Sequence, residues 1–169
     1  PIHLSDLRQW SSRVWEQERG ETLIDLGAYC LMPNHFHLLV REKEEGGITV
    51  FMRKLLTSYS SYFNLKHERT GKLFEGPFKA THIDNDSYLH YLYAYIHLNP
   101  VKISNPEGWP TKIVQDVAAA KVFLDGYAHS SYHDYLGRSR QEKVILNPNA
   151  FPGYFSDDIN FKEFVADWM

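Results

Sequence analysis

Two histidines separated by one phenylalanine, His35-Phe36-His37, are the side chains of this sequence best suited to chemistry. On a β-strand alternate side chains share a face, so His35 and His37 point one way and Phe36 the other. Paired imidazoles on a rigid strand offer two nitrogen donors to a metal ion. Farther along, Tyr95 and Asn99 stand four residues apart, one helical turn, on a common face. If that helix crosses the histidine strand, a phenol and an amide oxygen can sit beside the two imidazoles. Two nitrogens and one oxygen, with open positions, suit a catalytic divalent cation. Such an ion polarises a phosphoryl oxygen and offsets the charge that builds up on phosphate, while a tyrosine attacks phosphorus. A free phenol has a pKa of about 10 and stays protonated near neutrality, so tyrosine makes a nucleophile only in a setting of this kind.

Spacing alone leaves blander readings open. A histidine pair on a strand can be a plain surface pair. Tyr88, Tyr91 and Tyr95 can form one core stripe with their hydroxyls at its edge. His97, two positions past Tyr95, points away from it on a helix and reads as a structural or surface residue. Cys30 near the hairpin could add a thiolate to the two histidines, but that spacing is poor for structural zinc. Tyr59 to Phe63 read as core beneath the sheet rather than as a platform for stacked bases.

The elements that must position these groups follow from periodicity. Residues 3–19 read as a helix capped by Ser5 or Asp6, with Leu7, Trp10 and Val14 on one stripe and Gly20 as its stop. Residues 22–32 read as a strand, Pro33-Asn34 as a tight turn, and His35 to Arg41 as the return strand. Ile48 to Leu65 is the clearest helix, with Ile48, Phe51, Met52, Leu55, Leu56, Tyr59, Tyr62 and Phe63 recurring at threes and fours. Leu73 to Ile83 reads as a bent strand interrupted by Gly76-Pro77. Tyr88 to Leu98 reads as a helix capped by Asp86 and stopped by Asn99-Pro100. Helices over Lys112–Leu124 and Asn160–Trp168, and a helical turn at Ser130–Gly137, complete the chain. This order predicts an α+β fold: a ferredoxin-like antiparallel sheet with packed helices, its first strand upstream of Pro1, and a mainly helical C-terminal extension. Residues 1–102 are expected to form the catalytic domain and 103–169 an extension packed on it.

A hydrophobic fraction of 43% is enough for a real core, and the absence of any apolar run of about 20 residues argues against a membrane span. The single cysteine excludes an internal disulfide and fits a reducing, cytoplasmic location. The net charge of −3 speaks mildly against a nucleic-acid binder, but its distribution does not. Between residues 53 and 79, Arg53, Lys54, Lys66, Arg69, Lys72 and Lys79 face only Glu68 and Glu75, a local excess of four positive charges. The tail from residue 141 is acidic. A basic face beside an acidic tail can serve a phosphate backbone, or can be two ordinary solvated faces.

Three blocks in order, Met32-Pro33-Asn34-His35-Phe36-His37-Leu38-Leu39-Val40, Leu73-Phe74-Glu75-Gly76-Pro77-Phe78-Lys79-Ala80 and Tyr95-Ile96-His97-Leu98-Asn99-Pro100-Val101-Lys102, resemble the REP-associated tyrosine transposases, which are single-tyrosine HUH endonucleases. The likeness runs from about Ala28 to Lys102 and continues weakly through Ser130–Gly137. It departs at Pro77, where many members carry arginine. The resemblance implies His35 and His37 as metal ligands, Asn99 as a third polar ligand, and Mg²⁺ or Mn²⁺ as the cofactor. It implies Tyr95 as the nucleophile, joined through a 5′-phosphotyrosine link to single-stranded DNA with release of a 3′-hydroxyl. The substrates would be hairpins of palindromic repeats, cut on one strand and rejoined, in the course of DNA transposition. Lys79, Arg53, Lys54 and Lys72 are the candidate DNA contacts, Lys79 because it follows Phe78 in the middle block. Some relatives are homodimers whose partner supplies the tyrosine helix, and others act as monomers. The competing expectation is a module on the same fold that binds single-stranded nucleic acid without cutting it.

Overall fold

The computed structural model describes residues 14–104, 116–155 and 158–169. The elements are β1 (Ile24–Leu31), β2 (Phe36–Glu42), α1 (Gly47–Lys66), α2 (Asp86–Leu98), α3 (Val101–Ser104), α4 (Val117–Gly126), α5 (Tyr132–Tyr135) and α6 (Asp158–Asp167). Short 3-10 turns lie at Val14–Glu16, Gln141–Ile145 and Pro148–Ala150. The fold is α+β, with a two-stranded antiparallel sheet and a mainly helical C-terminal part. Most of the expected helix over 3–19, and the start of that over Lys112–Leu124, lie outside the described residues. The described residues fall into two compact units. One takes in those of Pro1–Asp25 and Glu42–His82, the other Leu26–Arg41 and those of Ile83–Met169.

In the first unit, Gly46 adopts a left-handed conformation (φ 81°) that lets the chain turn into α1. The Glu42 carboxylate accepts a hydrogen bond from the Ile48 N–H at 3.0 Å and so satisfies one of the open donors of that helix. Only the first half of the apolar stripe is deeply covered, at Met52. Tyr59 and Tyr62 are 48% and 39% exposed, so they are not core beneath the sheet as their spacing suggested. They meet local partners instead: Tyr59 lies near Phe63 and Phe74, and Lys66 reaches over the Tyr62 ring. The expected strand over Leu73–Ile83 is irregular chain. Pro77 has no N–H for a ladder, and Gly76 adds no side chain to pack.

In the second unit, the hairpin is closed by the Met32 N–H bonded to the His35 carbonyl at 2.8 Å. The part of β1 in this unit is buried from Leu26 through Cys30. Gly27 is required there, because a Cβ would fall 2.8 Å from the Phe151 ring. The edge of β1 turned from β2 is paired with residues 129–131: Leu31 N–H to His129 O at 2.8 Å and Ser131 N–H to Tyr29 O at 3.0 Å. Arg140 pins this segment, donating to the carbonyls of Ser130 and Ala128 and to the Tyr29 hydroxyl. Its guanidinium lies 3.8 Å from the buried Asp134 carboxylate, whose pKa is raised by burial.

α2 is the central element of this unit. Asn85, not Asp86, is its cap: the Asn85 side chain accepts the Tyr88 N–H at 2.8 Å, while Asp86 receives the Tyr154 hydroxyl. One side of α2, at Tyr93 and Ile96, packs with Ala28, Cys30 and Leu39 of the hairpin. Another, at Ala94 and Leu98, packs with Ala120, Leu124, Phe161 and Val165. α2 ends at Leu98 with Asn99 as its C-cap, as Asn99-Pro100 predicts, and Pro100 leads directly into a second short helix. It opens α3 at a position that needs no donor, and Lys102 N–H reaches the Asn99 carbonyl at 3.1 Å. Phe161 has no exposed surface, so Phe161→Ala should cost about 3–5 kcal/mol of unfolding free energy. Urea denaturation measures it, and a loss below about 1 kcal/mol would mean that α6 is not part of this core.

Candidate active site

His35 sits immediately before β2 and His37 within it, on the same face as Leu39. Leu39 is buried against α2, so the histidine face of the hairpin is the face that α2 covers. The His35 and His37 rings are 5.0 Å apart, edge to face. The His37 and Tyr95 rings are 5.4 Å apart, again edge to face. A strand register fixed at Leu39 and a helix register fixed at Tyr93 and Ile96 therefore bring the phenol beside the imidazoles. Tyr95 itself is half-buried, at the end of a row in which Tyr88, Tyr91 and Tyr95 stack in turn. The deeply buried tyrosine of this helix is Tyr93.

Hydrogen bonding orients the donors. His35 Nδ1 meets the Asn34 side-chain oxygen at 2.7 Å. An amide oxygen only accepts, so Nδ1 carries a proton and Nε2 is the nitrogen left to face a metal. The Asn99 side-chain nitrogen donates to the Tyr95 carbonyl at 2.7 Å, which turns Oδ1 away. Asn99 Oδ1 and His37 Nε2 are both buried without a hydrogen-bond partner. Buried polar atoms are seldom left so, and each costs roughly 1–3 kcal/mol unless something binds it. Burial first, then the charges of His35 and Lys102, push the His37 pKa down to about 4. The imidazole is thus neutral at ordinary pH, the form that ligates metals.

No group of three His, Cys, Asp or Glu side chains suited to a metal occurs among the described residues. A metal held here would need the amide of Asn99 as its third protein donor, and the two open acceptors fit that role. Cys30 does not join the set. It is fully buried, its pKa is pushed up to about 12 by burial, and its nearest polar contact is the Met32 sulfur at 3.6 Å.

The family model for IS200-like transposases matches residues 6–99, more than half of the chain. The chain belongs to the IS200-like transposase family. No curated protein and no solved structure matches it. Membership makes this transposase a DNA-processing protein and agrees with the resemblance carried by the three sequence blocks. No helix among its described residues is long and apolar enough to cross a membrane.

Arg53 and Lys54 on α1, and Lys72 and Lys79 beyond it, are solvent-exposed and belong to the transposase's first unit. His35, His37, Tyr95 and Asn99 belong to the second. Two features of that second unit were not assigned from sequence. Lys102 places its Nζ 4.9 Å from the centre of the Tyr95 ring. Its signal is the spacing Tyr95, Asn99, Lys102, which runs past the end of α2 into the separate short helix α3. The other is the contact made by His97, which is fully buried. Its Nδ1 donates to the Tyr93 carbonyl at 2.7 Å, so Nε2 accepts the Ser131 hydroxyl at 2.7 Å. Ser131 Oγ in turn accepts the Tyr29 N–H at 2.9 Å. This chain ties α2 to β1 at His97, two residues from Tyr95 and two from Asn99. Ser131→Ala leaves two buried polar groups unpaired and should cost about 1–3 kcal/mol in urea denaturation. An unchanged midpoint would show that the link carries no stability.

Proposed function

We propose that this transposase is a metal-dependent single-stranded DNA endonuclease and strand-transferase that works through a 5′-phosphotyrosine intermediate on DNA hairpins. The observation that carries the proposal is the Tyr95 ring 5.4 Å from His37, next to a histidine pair and an asparagine with open buried acceptors. The contact lies within one chain, which favours a site assembled without a partner's tyrosine.

His35, His37 and Asn99 would hold Mg²⁺ or Mn²⁺, which polarises the phosphoryl oxygen and offsets its growing charge. Tyr95 Oη forms a bond to phosphorus as the bond from phosphorus to the 3′-oxygen breaks. The phenol proton is balanced by one gained at the 3′-oxygen, so the products are a 5′-phosphotyrosine and a 3′-hydroxyl. One phosphodiester replaces another, and a second 3′-hydroxyl can reverse the step and join strands. The ring contacts of Tyr95 with His37 and Tyr91 restrict its rotamers and hold the hydroxyl side of the ring for attack. Arg53, Lys54, Lys72 and Lys79 would track the DNA backbone by charge.

Labelled single-stranded hairpin DNA, incubated with the protein and Mn²⁺, is expected to give a covalent protein–DNA adduct on a denaturing gel. Tyr95→Phe and chelation with EDTA should each reduce it to background. His37→Ala should abolish it as well and weaken Mn²⁺ binding measured by calorimetry. An equal adduct from Tyr95→Phe refutes the nucleophile. DNA bound equally with and without EDTA, and left uncut, supports a pure binding module instead.

A further inference from the structure

Lys102 lies three residues past the end of the matched family span, and nothing so far gives it a task. Its ammonium sits 4.9 Å from the centre of the Tyr95 ring, an attractive position for a cation. The side chain is partly buried. None of the described ion pairs includes it. The side chains its charge acts on are Tyr95, His37 and Cys30, and none of them is a carboxylate. A partly buried charge without a counter-ion is unfavourable, and the chain spends one at the place where the phenol must attack.

We infer that Lys102 is a catalytic residue that contacts the non-bridging oxygens of the attacked phosphodiester, and that the missing counter-ion is the phosphate itself. The inference rests on the reading of Tyr95 as the nucleophile. Geometry supports it independently of the family match. Tyr95, Asn99 and Lys102 recur at four and three residues, along one side of a helical path that continues through Pro100. One turn supplies the attacking oxygen, the next an amide oxygen, the next a cation. As the phenol oxygen bonds to phosphorus, negative charge accumulates on the non-bridging oxygens, and a fixed ammonium there favours the transition state over the bound substrate. Held over the ring, the ammonium also limits the swing of Tyr95 away from the phosphate. Arg140, another partly buried cation of this unit, is already committed to Tyr29, Ser130 and Asp134.

The test compares wild type, Lys102→Met and Lys102→Arg on the labelled hairpin with Mn²⁺, after circular dichroism has shown that each is folded. Lys102→Met should slow adduct formation about 10²–10³-fold, as does loss of one donor to a developing oxyanion. Lys102→Arg should recover most of the rate. With a neutral methylphosphonate at the mapped cleavage position, the gap between wild type and Lys102→Met should close, because no charge remains to be met. A second readout needs no turnover. In a Tyr95→Phe background with EDTA, binding of the same DNA should lose about 0.7 from its log–log salt slope on Lys102→Met, the share of one phosphate on single-stranded DNA. An unchanged rate and slope would overturn the inference. So would an equal rate loss on the phosphodiester and the methylphosphonate, since that marks a prop for the ring and not a phosphate contact. If wild type forms no adduct at all, the nucleophile reading fails, and the salt slope alone then decides whether Lys102 meets a phosphate.

Discussion

The packing of Leu39 against Tyr93 and Ile96 holds the rest of the site in place. Leu39 is two residues past His37 on the same strand face, and Tyr93 and Ile96 flank Tyr95 on α2. Side chains on a strand alternate faces, so a slip of one residue would send both imidazoles to the opposite side. A helix rotated by one residue turns its side chains by roughly 100°, which would carry the Tyr95 ring off His37. Burial of three apolar side chains is what forbids both slips. The His97–Ser131–Tyr29 link adds direction to that contact, because hydrogen bonds tolerate far less sliding than apolar surfaces do.

Around this fixed contact the chain assembles groups that are individually unfavourable. His37 Nε2 and Asn99 Oδ1 are buried with open lone pairs, and Lys102 lacks an ion-pair partner among the described residues. Stable cores do not ordinarily contain such a set. Two acceptors suit a cation and one ammonium suits an anion. On the proposed reading, a metal ion would meet the two acceptors and a phosphate the ammonium. The same neutral His37 that burial creates is the form a metal requires, so the cost of desolvation and the preparation for binding are one event.

Sequence carried local patterns further than it carried long-range ones. The histidine pair and the Tyr95–Asn99 spacing are local patterns, and local patterns survive without knowledge of tertiary partners. β1, β2, α1 and α2 followed from periodicity and turn chemistry for the same reason. Elements that depend on distant partners were less legible. Leu73–Ile83 has apolar residues enough for a strand, but Gly76-Pro77 removes the ladder. Tyr59 and Tyr62 share the apolar stripe of Met52, yet burial of one part of a stripe does not extend to the whole. His97 read as structural or surface, and its buried structural role could not be specified because Ser131, its partner, lies 34 residues away. Pro100 has two roles, only the first of which was legible: with Asn99 it stops α2, and it opens α3, where a proline need not donate.

The matched family span stops at Asn99, but the physical unit does not. Ala94 and Leu98 of α2 would face water without Ala120, Leu124, Phe161 and Val165, and an α2 with one bare side has no reason to hold its register on the hairpin. The outer edge of β1 would likewise present open backbone groups without residues 129–131, and Arg140 is what keeps that segment there. Residues beyond 102 therefore act on Tyr95 through the two partners that locate it, the helix and the strand. A catalytic constellation accurate to a fraction of an ångström needs such support, because the rate of phosphoryl transfer falls steeply when the attacking oxygen is misplaced. By packing, the C-terminal part belongs with the elements that hold the candidate site.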